Sequence, residues 1–134
     1  MTQEHSTLPT PSEINDLTSR VIGAAIEVHK ALGPGLLESA YNTCLCTELD
    51  LLGLPYEKEK ELPIEYKGTK LSSGYRLDLV VANQLIVELK ACEFLQPIHE
   101  AQLLTYLKLT GIKAGLLINF NVPMLKQGIK RLSN

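Results

Sequence analysis

The sequence predicts an α/β fold, with one mixed sheet and helices packed on it. Three observations carry this. Apolar residues recur at three- and four-residue spacing over 12–32 and 37–52, the buried stripe of amphipathic helices. From residue 56 the period shortens to two, and 74–81 and 85–91 are rich in leucine and β-branched side chains. AGLLINF at 114–120 is nearly all apolar, as a strand buried on both faces requires. With 134 residues the chain has material for one core, not two.

Residues 1–11 are polar and carry Pro9 and Pro11, so they read as a flexible leader before a single domain over 12–134. They show neither the basic nor the apolar region of a secretory signal. Leu17, Val21, Ala25, Val28 and Leu32 form the stripe of the first helix, with Ser12 as its N-cap and Asn15 competing for that role. Gly33-Pro34-Gly35 ends it. The second helix buries Leu37, Tyr41, Cys44 or Leu45, Leu49 and Leu52, and stops at Gly53. Residues 56–67 are charged and interrupted by Pro63, which suits an edge strand or a ragged hairpin. Ala82-Asn83-Gln84 joins the two stronger strands. Pro97 opens a third helix that reaches about Leu109 and is closed by Gly111. Residues 121–134 suit either a strand or a short helix.

Composition excludes several classes. No apolar run approaches the roughly 18 residues of a membrane span. The three cysteines, Cys44, Cys46 and Cys92, have no metal-ligand spacing and read as free thiols of a cytoplasmic protein. Net charge is −2, unevenly placed: residues 1–100 hold 8 Lys/Arg against 15 Asp/Glu. Residues 101–134 carry Lys108, Lys113, Lys126, Lys130 and Arg131 and no acid. That is a basic surface for phosphates or a solvated face.

The strand pair carries the chemistry. Alternation puts Leu77, Leu79 and Val81 on one face and Asp78 and Val80 on the other, while Ile86, Glu88 and Lys90 share a face. A three-residue loop pairs Val81 with Leu85 and sets Asp78 opposite Glu88, with Cβ atoms about 4.5–5.5 Å apart. Burying an unpaired carboxylate costs several kcal/mol, so two of them among apolar neighbours invite a divalent metal. The plainer reading is a cross-strand salt-bridge ladder. On the third helix His99, Gln102 and Tyr106 form one polar line, either a wetted face or part of the same site. Glu38, in the first turn of the second helix, complements the helix dipole or offers a third carboxylate.

Asp78, followed after nine residues by Glu88-Leu89-Lys90, resembles the D-(D/E)xK core of the PD-(D/E)XK nuclease superfamily. Gln102-x-x-x-Tyr106 resembles the QxxxY element of its exonuclease-like branch. Gly35-Leu36-Leu37-Glu38-Ser39-Ala40-Tyr41 is similar to the signature of the GxxExxY protein family, a small branch of it. The likeness spans about residues 14–132, with Leu77 where the superfamily name has proline.

The resemblance implies a restriction-endonuclease-like core: a mixed sheet of a three-strand meander plus one further strand, flanked by helices. It implies a metal-dependent nuclease hydrolysing phosphodiester bonds, in DNA. Asp78, Glu88 and the Leu89 carbonyl would hold Mg²⁺ or Mn²⁺, with Glu38 completing the shell. Lys90 would orient or deprotonate water, Gln102 would position Lys90 or the phosphate, and Tyr106 would contact the nucleic acid. His29, His99 and Tyr41 would stand around these groups. Lys126, Lys130 and Arg131 are the candidates for tracking the phosphate backbone. The alternative is a catalytically weak or inactive module, with the same fold, that binds nucleic acid or a partner. A chain this small would work alone, as a homodimer or beside a partner protein.

Overall fold

The computed structural model describes residues 8–71 and 74–134, so residues 1–7 of the leader expected over 1–11 lie outside the described residues. Helix α1 spans Pro11–Leu32. Its N-cap is Thr10, not Ser12 or Asn15: the Thr10 hydroxyl accepts the Glu13 N–H at 3.1 Å. Pro11 therefore belongs to the helix, taking the first position, where its missing N–H leaves nothing unpaired. At the other end Gly33 has φ 68°, a conformation that suits glycine, and its N–H reaches the His29 carbonyl at 2.8 Å. Helix α2 follows over Glu38–Leu51.

The strands are β1 (Tyr56–Glu61), β2 (Ile64–Tyr66), β3 (Thr69–Leu71), β4 (Arg76–Val81) and β5 (Leu85–Lys90). Then come α3 (Pro97–Thr110), β6 (Ala114–Asn119), a single 3-10 turn (Leu125–Gly128) and β7 (Ile129–Ser133). One five-stranded sheet runs β1-β4-β5-β6-β7, and β2 and β3 form a separate hairpin. The expected meander is thus β1, β4 and β5, with that hairpin inserted. Pro63 splits the charged stretch because it cannot donate to a ladder. Lys67 and Gly68, both at positive φ, turn β2 into β3. β6 lies parallel to β5, since α3 carries the chain across between them. The ambiguous tail is both a turn and a strand, and β7 extends the sheet by one strand beyond the expected four.

Helices α1 and α2 cover one face. Leu79, Val81, Leu85, Val87, Leu89, Leu116 and Ile118 pack there against Val21, Ala25, Val28, Tyr41, Leu45 and Leu49. Helix α3 covers the other face, where Leu77, Val80, Ile86 and Leu117 meet Leu103, Tyr106 and Leu107. Each buried leucine, isoleucine or valine here contributes roughly 1.5–3 kcal/mol. A sheet covered on both faces is therefore a rigid platform for β4 and β5. No described helix is long and apolar enough to cross a membrane.

Candidate functional site

The β4–β5 hairpin has the expected register: Val81 pairs with Leu85, Val80 with Ile86 and Leu79 with Val87. One step further Asp78 meets Glu88, and there the backbone ladder stops. The two carboxylates take over the bonding. The Asp78 N–H donates to Glu88 Oε2 at 2.8 Å, and the Leu89 N–H donates to Asp78 Oδ2 at 2.8 Å. Each acid is thus oriented by the opposite strand. The Leu89 carbonyl lies beyond the last paired position of β4 and β5.

The break coincides with an irregularity on the other side of β4. β1 pairs with β4 through Lys58↔Leu79 and Lys60↔Leu77, skipping Glu59 opposite Asp78. Glu59 has φ 51°, uncommon for a residue with a side chain. Across this step the strand changes phase. Leu79 faces α1 and α2, but Leu77 packs with the α3 cluster, so the expected shared face of Leu77, Leu79 and Val81 is corrected.

Glu38 begins α2 and is exposed, yet its charge raises the pKa of both Asp78 and Glu88, which places it in their field. Tyr41 fixes the loop ahead of it. Its hydroxyl donates to the Gly33 carbonyl at 2.6 Å and accepts the Leu36 N–H at 3.1 Å. Its ring stacks on Phe120 with centroids 4.3 Å apart. Tyr41 is fully buried and holds the loop instead of touching the acids. From the next position, buried Asn42 reaches the Asp78 carbonyl at 3.4 Å.

Lys90 closes β5, half-buried, and its charge favours the ionised form of both acids. No direct ion pair joins it to either among the described residues. Its carbonyl accepts the Phe120 N–H at 2.9 Å, and just beyond it Asn119 brackets Cys92 by both N–H and carbonyl. From α3, Tyr106 comes down on the acids. Burial raises its hydroxyl pKa, the charges of Glu88 and Asp78 raise it further, and a hydrogen bond with Gln102 opposes them.

Other expected residues are tied to further parts of the fold. His29 is buried and bonded to the Val122 carbonyl at 2.8 Å. His99 caps α3, its Nδ1 accepting the Gln96 N–H at 2.9 Å. The basic tail is not one surface. Lys130 pairs with Leu117, itself paired with Glu88, so it stands about 10 Å from Glu88 across two strand spacings. There it bonds Glu100 at 2.9 Å. Arg131 pairs with Leu116, whose side chain faces α1, and lines a 440 Å³ cavity with Pro11 and Ile14. Lys126 is exposed on the 3-10 turn.

Burial first, and the Asp78 charge second, push the Glu88 carboxyl up to about 8. Burial also raises Asp78, opposed by the Leu89 N–H and Lys90. Two hard oxygen donors lie together, a donor set that fits Mg²⁺ or Mn²⁺, and among the described residues no cation forms an ion pair with either. Among the described residues no three His, Cys, Asp or Glu side chains form a ready metal cluster. Glu38 is thus near the pair without joining it.

Sequence reasoning missed Glu59, Asn42 and Asn119. Asn42 and Asn119 had a signal, a lone amide in an otherwise apolar buried pattern. Glu59 had none, being one charge among many in YEKEKE.

A family model described as the PD-(D/E)XK nuclease superfamily matches residues 15–132. No curated protein and no solved structure matches the chain.

Proposed function

The chain belongs to the PD-(D/E)XK nuclease superfamily, and on that premise we propose that it is a metal-dependent nuclease hydrolysing phosphodiester bonds in DNA. One observation carries the reading: Asp78 and Glu88 orient each other through the main chain, and Glu88 is held at a carboxyl pKa of about 8. A fold gains nothing from an uncompensated buried acid pair, whereas a divalent cation would neutralise it. Asp78, Glu88 and the Leu89 carbonyl would hold Mg²⁺ or Mn²⁺, with Glu38 drawn in from the start of α2. The cation would supply Lewis-acid polarisation of a phosphate oxygen and of water.

The chain's own groups do the rest. Lys90, outside direct contact with either acid, is available to offset phosphate charge and to orient water or take its proton. Gln102 positions Lys90 or a phosphate oxygen, and Tyr106 offers a hydroxyl at the same mouth. Lys130 stands on the site's face and is the tail cation best placed for a flanking phosphate; Lys126 and Arg131 would act at a distance. We place the chain in the GxxExxY branch on Gly35, Glu38 and Tyr41, treat 12–134 as one catalytic domain, and read its free thiols as those of a cytoplasmic protein.

The exposed position of Glu38 favours a second reading, a catalytically weak or inactive module binding nucleic acid or a partner, alone or as a homodimer. Cleavage of labelled DNA in Mg²⁺ or Mn²⁺, compared with Asp78→Ala, separates the two.

A further inference from the structure

Beside the acid pair a groove of 310 Å³ runs between α3 and the start of β4. We propose that this groove, lined by Ile64, Tyr75, Ile98, Gln102, Thr105 and Tyr106, seats an unpaired nucleobase of a single-stranded nucleic acid. The inference rests on the nuclease reading and names the substrate class of that site.

Continuity is the first argument. Tyr106 lines the groove and lies in the field of Glu88 and Asp78, with Gln102 bonded to it, so a base held here leaves its own phosphate close to the two acids. Charge is the second. The lining contains no Asp, Glu, Lys, Arg or His, although two carboxylates lie adjacent. A phosphate or an acidic peptide seated in the groove itself would find no cation among its lining residues, whereas a neutral aromatic ring needs none.

The lining chemistry is the third argument. Tyr75 is 45% exposed and Ile98 is 69% exposed, offering aromatic and apolar surface on which a base can stack. Gln102, Thr105 and the tyrosine hydroxyls set an amide and three hydroxyls around that surface, able to meet the polar edge of a base. A base inside a duplex must first be unstacked and unpaired, at about a few kcal/mol, a cost that a single strand avoids. The substrate is therefore a single strand or a frayed end.

Fluorescence anisotropy in EDTA tests this without cleavage, using a labelled single strand of about 12 nucleotides, the same length of duplex, and an abasic strand. The single strand should bind most tightly. Tyr75→Ala and Ile98→Gln should each weaken it by roughly 5- to 150-fold and leave the abasic strand unchanged. Tyr75 supplies its main-chain carbonyl to the Leu62 N–H, a bond alanine retains, and Ile98→Gln probes the same groove from α3. Equal binding of abasic and normal strands would overturn the proposal. So would self-association of the chain that Ile98→Gln abolishes, since a second copy would then fill the groove. Base-dependent binding without Mn²⁺-dependent cleavage sinks the nuclease reading and leaves the groove standing. Cleavage with no base dependence does the reverse.

Discussion

Asp78 and Glu88 are held to each other through the main chain: the Asp78 N–H donates to the Glu88 carboxylate, and Asp78 accepts the N–H of the residue after Glu88, both at 2.8 Å. The ladder between β4 and β5 ends at Leu79 and Val87, and these bonds take over from it. The arrangement fixes both acids to strands rather than to flexible rotamers, the preorganisation a metal site needs. The same closeness forces their charges together away from water, and the consequences for stability and cation binding follow from that.

Stability of the metal-free protein should fall as pH rises. Glu88 has its carboxyl raised from 4.5 to about 8, so the folded chain holds that proton more tightly than the unfolded chain. Its contribution is complete below the unfolded value and is lost as pH passes through the folded one. Thermal unfolding in EDTA at about pH 5, 7 and 9 should show a declining Tm, and Glu88→Gln should flatten the decline. Protection by Mn²⁺ should grow with pH, because the cation must displace the proton. A Tm that rises from pH 5 to 9 in EDTA contradicts this.

Glu59 is the one β1 residue at positive φ, at 51°. Glycine tolerates that conformation and a β-branched residue resists it by about 1–2 kcal/mol. Glu59→Gly should keep or raise the Tm, while Glu59→Val should lower it and weaken Mn²⁺ binding by disturbing Asp78. Equal behaviour of the two variants would mean that the backbone at 59 does not set the site.

Tyr41→Phe keeps the stacking on Phe120 but leaves the Gly33 carbonyl and the Leu36 N–H without their shared partner. We expect a loss of about 1–3 kcal/mol in denaturant unfolding and faster amide exchange over residues 33–38. Unchanged exchange there would remove Tyr41 as the support for Glu38.

His99→Ala removes the acceptor for the Gln96 N–H at the start of α3. It should cost about 1 kcal/mol of stability and leave Mn²⁺ affinity as it was. A large change in affinity would return His99 to the metal site.

The β4–β5 register was readable because charge and turn length agreed: only an odd loop puts Asp78 opposite Glu88. Helix α3 was readable from Pro97 and Gly111, whose backbone constraints are local. The phase change at Glu59 was not, since periodicity arguments assume an undistorted strand and nothing in YEKEKE marks a positive φ. The β2–β3 hairpin did leave a signal in Lys67-Gly68, masked by the charge around it. His99 and Tyr41 looked like site residues because their partners are main-chain groups, which no side-chain pattern reports. Splitting of Lys130 and Arg131 onto opposite faces of the sheet depended on β7 being a strand, where adjacent residues alternate.

The central claim is that Asp78, Glu88 and Lys90 turn over phosphodiester bonds. Cleavage of end-labelled single- and double-stranded DNA with Mg²⁺ or Mn²⁺, comparing wild type with Lys90→Ala at matched metal occupancy, addresses it most directly. Lys90→Ala should still bind Mn²⁺ near the wild-type affinity yet cleave slower by about two to four orders of magnitude, the scale of a lost general base or fixed charge. Wild-type cleavage no greater than that of Lys90→Ala, on every substrate and with either metal, would contradict the account and leave a binding module.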